Sequence, residues 1–88
     1  MEDKDRRKLQ TNRLSILENL DVLEILDYLY QEKVLSDDDY ERIKVKETKH
    51  DRCRFLLDML PSKGPRAFGC FVKALEKDYS FLADQLKK

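Results

Sequence analysis

An all-α fold of six short helices is what this sequence predicts, and three observations predict it. Apolar residues recur at three- and four-residue spacing along nearly the whole chain. Both prolines and both glycines fall within residues 61–69, so nothing breaks a helix elsewhere. No segment alternates apolar and polar residues as a half-buried strand would.

The first stripe, Leu9, Ile16, Leu17 and Leu20, has Arg6, Arg7 and Arg13 beside it. Val22, Ile25, Leu26 and Leu29 form a second set ending near Gln31. Ser36 followed by Asp39 reads as a capping box, in which each side chain accepts a hydrogen bond from the other's backbone N–H. It opens a third helix carrying Tyr40 and Ile43. Thr48 and Asp51 repeat the signal and open a fourth, with the stripe Cys53, Leu56, Leu57 and Leu60. Pro61 stops that helix because it cannot continue the hydrogen-bond ladder. Pro65 suits the first turn of a fifth helix, where its missing N–H is not needed. Phe68, Phe71, Val72 and Leu75 are its stripe. Tyr79, Leu82, Ala83 and Leu86 outline the sixth, with Lys87 and Lys88 at the negative end of its dipole. On this reading Leu56, Leu57, Phe68 and Phe71 are core, and Tyr28 and Tyr30 are half-buried packing. "LPSKGP" needs no function beyond ending one helix and starting the next.

The 88 residues make one small domain. A domain of this size buries about 60–65% of the surface of its unfolded chain, enough to fold without staples. Charged and hydrophobic residues each reach 41%, which excludes a disordered polar tail. Cys53 and Cys70 do not make a disulfide framework, and free thiols suit the reducing cytosol or nucleus. No apolar run approaches the length of a membrane span.

Catalytic chemistry finds little to work with. His50 and Cys53 lie on adjacent turns of one helix with no third group to orient them, so an exposed His and a buried Cys explain them better than a nucleophile and base. With Cys70 they supply only three metal ligands and no C-x-x-C pair, so no metal is expected. Gly64 and Gly69 are isolated, and no glycine-rich phosphate loop exists. The many carboxylates fit solvated helix faces, so neither an enzyme nor a cofactor is expected.

Charge is distributed unevenly along a chain of zero net charge. Residues 1–17 hold five bases and three acids; residues 18–41 hold nine acids and only Lys33 against them; residues 42–88 hold twelve bases and six acids. Such blocks often mark only a solvated face. Read functionally, they give one acidic and one basic surface, which permits head-to-tail association with copies of the chain or with a related domain.

Two segments, "DYLYQEKVLSDDDYERI" (Asp27–Ile43) and "FLLDMLPSKGPRAFGCFVKALE" (Phe55–Glu76), resemble the caspase recruitment domain (CARD) of the death-fold superfamily. The likeness runs over the whole chain, residues 1–88, as a single domain. Its L-L-D-x-L-P-x-[KR]-G-P-x-A-F core and Tyr28–Glu32 are most similar to an adaptor of the family, which implies a piece of a longer adaptor.

The resemblance implies a six-helix antiparallel Greek-key bundle with the first helix bent or broken. Asn12–Arg13 is the expected break, because Leu14 departs from the stripe of Leu9, Ile16 and Leu17. It implies a partner-binding acidic face of Glu24, Asp27, Asp39 and Glu41, and a basic face of Arg13, Lys49, Arg52 and Arg54. Cys53 stands where some caspase relatives carry a base, which thins the basic face. Lys63 and Arg66 are expected exposed beside the junction of the fourth and fifth helices. Asp37, Asp38 and Asp39 have a second role available, favouring the positive end of the third helix.

The implied function is non-catalytic recruitment of an initiator caspase in apoptotic signalling by pairing with its CARD, with self-association as a further pairing. The prodomain of such a caspase is the alternative. From another class, the run Arg42–Arg54 could bind nucleic acid, but Glu47 and Asp51 interrupt it and no aromatic is there to stack. Membrane binding is not expected, since the apolar stripes are needed for the core.

Overall fold

A computed structural model describes residues 1–88. All of its regular structure is helical. There are seven α-helices rather than six: α1 (Asp3–Thr11), α2 (Arg13–Asn19), α3 (Leu23–Gln31), α4 (Asp37–Lys44), α5 (Lys49–Met59), α6 (Ala67–Leu75) and α7 (Ser80–Lys87). The additional one arises at Asn12, where φ −101° and ψ 6° leave the helical region. Asn12 Nδ2 donates to the Lys8 carbonyl at 2.8 Å, beside the Asn12 N–H, which donates to the same carbonyl at 3.1 Å, so α1 ends with both donors of Asn12 on one acceptor. The ladder restarts at once, with the Ile16 N–H donating to the Asn12 carbonyl at 3.0 Å. The break lets Leu9 and Ile16 both face inward while Leu14 stays 69% exposed.

Helix α3 ends in a Schellman motif: the Val34 N–H donates to Leu29 O at 3.0 Å and the Lys33 N–H to Tyr30 O at 3.1 Å. Lys33 holds the left-handed position, with φ 63°, where glycine is usual. Ser36 and Asp39 make both bonds of the capping box that opens α4. At α5 only half of the expected pair forms: Thr48 Oγ1 accepts from the Asp51 N–H at 3.0 Å, while the Asp51 carboxylate turns to Arg54.

At "LPSKGP" the chain does not stop cleanly at Pro61. Helix α5 tightens into a 3₁₀ turn, Leu60–Ser62, that contains Pro61. Gly64 takes φ 90°, and α6 starts at Ala67, two residues after Pro65. Pro65 therefore sits in the turn before the helix rather than in its first turn.

The core is one cluster of 22 buried residues drawn from every α-helix and their connections. Phe71, fully buried on α6, is its largest side chain, and α6 packs against α3 and α7. Helix α5 packs against α2 and α4. Leu56 and Leu57 are buried as expected, whereas Phe68 is half-buried under the ammonium of Lys8. Tyr28 is half-buried, but Tyr30 is exposed, since it turns outward to Asp37.

Candidate interaction faces

The acidic stretch builds an edge from α3 and α4. Asp27 is exposed on α3 and accepts a hydrogen bond from Tyr40 of α4 at 2.7 Å. Tyr30, one turn beyond Asp27, donates to Asp37 at the start of α4. The two tyrosine rings lie 5.0 Å apart and tilted at 55°. With Glu41 these groups line a shallow depression of about 370 Å³. Both hydroxyls are held above the ordinary tyrosine pKa, Tyr40 by its bond to Asp27 and Tyr30 by its bond to Asp37. They stay neutral donors to the two carboxylates.

Glu24 lies one turn before Asp27 and accepts from Tyr79 at 2.6 Å. The Tyr79 hydroxyl in turn accepts from the Asp21 N–H at 3.2 Å, which ties the start of α3 to the start of α7. Asp38 is paired with Arg42 at 2.8 Å.

Asp39 has a different place. It is buried, with its carboxylate accepting from the Ser36 N–H at 3.0 Å and facing Lys63 Nζ at 2.6 Å. Burial pushes its pKa up, but the bonds from Lys63 and Ser36 outweigh that and hold it below the usual value. The structure thus gathers Asp27 and Glu41 with Tyr30, Asp37 and Tyr40, while Asp39 lines an adjoining depression with Lys63. Lys63, expected exposed, is turned inward by the same ion pair, at 25% side-chain exposure. Arg66 is exposed and reaches Glu32 at 3.5 Å.

The basic edge comes from α2 and α5. Arg13 pairs with Asp58 at 3.0 Å, and Arg54 with Asp51 at 3.1 Å. Lys49 is exposed. All three surround the buried Cys53, whose thiol burial pushes up to about 11 against the pull of Arg13, Arg54 and Lys49. Arg52 is not part of this group. It turns back to donate to Lys46 O at 2.9 Å, and its Nε is buried without a partner.

Cys53 is therefore a packing residue and a poor nucleophile, and His50 beside it is exposed. Both thiols are free and buried. No helix is long and apolar enough to cross a membrane. The run Arg42–Arg54 does not present a row of free cations: Arg42 and Arg54 are ion-paired, and Lys44 and Lys46 lie over the rings of Tyr40 and Phe55 at 5.6 and 4.7 Å.

Sequence reasoning missed Tyr30, Tyr40 and Asp58 as parts of these faces. The three-residue spacing of Asp27 and Tyr30, which puts them on one side of a helix, was the available signal for the first. Nothing local points to Asp58 as the partner of Arg13.

Comparison with known proteins finds relatives of this chain. Residues 6–88 match the caspase recruitment domain family. Caspase-1 of Felis catus is 35% identical over 63 residues, covering 70% of this chain and 15% of that protein. Caspase-2 of Gallus gallus is 27% identical over 81 residues, covering 91% of this chain and 19% of that protein. The chain thus spans less than a fifth of either relative. With its helical bundle and a match over nearly its whole length, the chain belongs to the caspase recruitment domain family, a non-catalytic protein-interaction domain of apoptotic signalling.

Proposed function

We propose that this domain is the recruiting end of a longer adaptor that binds the CARD of an initiator caspase through complementary charged faces. The observation that carries this is the sorting of charge in space. Asp27, Asp37 and Glu41 share one depression between α3 and α4, while Arg13, Lys49 and Arg54 gather around Cys53. Such faces select a partner and speed encounter. The adaptor assignment is supported by Leu56–Phe68 and Tyr28–Glu32, which resemble the adaptor RAIDD. In this reading α1 and α2 are the two halves of the first helix of a six-helix Greek-key bundle. The same faces allow self-association, and the free thiols fit the cytosol or nucleus.

A second reading, the prodomain of a caspase, is favoured by the relatives themselves, which are caspases. A protease domain following Lys88 in the full-length transcript would establish it; a second death-fold domain there would establish the adaptor.

The binding test is a titration with the aligned segment of Gallus gallus caspase-2, followed by light scattering at about 50 and 300 mM salt. A complex that forms at low salt and weakens at high salt supports recruitment through charged faces. A folded domain that forms no complex at either salt rejects this partner, and a complex indifferent to salt rejects the charged faces.

A further inference from the structure

Between α1, α2 and α5 lies a cavity of about 230 Å³. Leu9, Leu57 and Pro61 give it an apolar floor, and Arg6, Arg13 and Asp58 stand at its walls. Arg13 makes a single bond to Asp58, from Nη2 at 3.0 Å. A guanidinium carries five N–H donors in a planar fork that suits two-point binding of a carboxylate, so most of that capacity is open. Arg6 is exposed and takes part in none of the ion pairs of the protein. Two guanidiniums against one carboxylate leave a positive charge over. Asp58 itself has 68% side-chain exposure, so it can swing into water with little loss.

We propose that this cavity receives one carboxylate side chain from the acidic face of the partner domain, read by Arg6 and Arg13 together, and that Asp58 gates it by holding Arg13 until the partner displaces it. The inference rests on the binding function proposed above and adds two residues to it, Arg6 and Asp58. The gate has a consequence for specificity. A partner must offer a carboxylate placed well enough to outcompete an internal one, and a merely acidic surface does not.

The test is a double-mutant cycle on Asp58→Asn and Arg13→Gln, with Arg6→Ala beside it. Affinity for the aligned caspase-2 segment is measured by calorimetry at about 50 mM salt, where surface electrostatics are strong. Asp58→Asn is expected to tighten binding about two- to fivefold, the scale of one exposed ion pair. In the Arg13→Gln background the same change is expected to do nothing, and Arg6→Ala is expected to weaken the wild-type complex. Melting curves verify that each variant is folded. Equal tightening in both backgrounds would mean that Asp58 acts only as a distant charge, and would overturn the gate. So would unchanged binding by Asp58→Asn, and full affinity in Arg6→Ala would overturn the shared reading of the carboxylate. In those cases a salt-sensitive wild-type complex leaves the charged-face function standing. No binding by the wild-type domain overturns both.

Discussion

The acidic edge of α3 and α4 and the basic edge of α2 and α5 hold their charged groups by opposite means. Asp27 and Asp37 are bonded by the neutral hydroxyls of Tyr40 and Tyr30. Arg13 and Arg54 are bonded by the carboxylates of Asp58 and Asp51. A hydroxyl fixes a carboxylate in place without cancelling its charge. A carboxylate beside a guanidinium fixes it and cancels much of its field. Asp27 and Asp37 therefore stand without a cation bonded to them, while Arg13 and Arg54 are each partly neutralised. The formal charge of a stretch is thus a poor measure of the charge it presents.

The largest expected effect tests this contrast directly. Asp27→Lys is expected to weaken partner binding by at least about a hundredfold, because it reverses an exposed charge with no bonded cation at the proposed contact. Arg13→Glu, on the neutralised edge, is expected to cost about tenfold. Circular dichroism and melting should be nearly unchanged in both. Equal losses in calorimetry would break the contrast between the edges.

Next in size is Asp39, which belongs to the acidic stretch but is buried against Lys63. Asp39→Ala removes a cap and leaves Lys63 without its carboxylate, and should cost about 2 kcal/mol in denaturant unfolding. Binding per folded molecule should not change. Lost binding with stability intact would return Asp39 to the face.

Acid offers a gentler form of the same experiment. The folded-state pKa of Asp39 is below its ordinary 3.8, so the folded protein holds this proton less tightly than the unfolded chain. Its stabilising contribution is present above 3.8 and is lost as pH falls through the lower folded value. Unfolding measured between about pH 5 and 2 should therefore show a shallower fall for Asp39→Asn than for the wild type. Parallel profiles would deny Asp39 this role.

The smallest effect concerns Lys33, the single cation within the acidic residues 18–41. Lys33→Gly relieves a left-handed backbone and should raise stability by about 0.5–1 kcal/mol in thermal or denaturant unfolding. It also makes the edge more negative, so the complex should bind no more weakly. A loss of stability would mean that the Lys33 side chain matters more than its backbone.

Much of the helical plan was legible because its causes are local. The stripe of Phe68, Phe71, Val72 and Leu75, the box of Ser36 and Asp39, and the departure of Leu14 all act within a few residues. So the helices and the capping of α4 could be read directly, and the break that the family resemblance implied could be placed at Asn12. Pro65 shows the limit of such reading, since a proline suits both a first helical turn and the turn before it, and the packing of α6 chooses. Thr48 and Asp51 show another, because Arg54 competes for the carboxylate that a capping box would use.

The pattern of residue types by itself determined an all-helical chain, its core stripes and the blocks of charge along it. Those follow from backbone sterics and the period of the helix, which are properties of neighbouring residues. Only the tertiary structure decided which charges are available. Lys63 reaches Asp39 across 24 residues, Asp58 reaches Arg13 across 45, and Tyr40 reaches Asp27 across 13. A charge in water is screened within about a Debye length, so its effective strength depends on who stands beside it in space. That neighbour is set by how the helices pack, and no spacing along the chain records it.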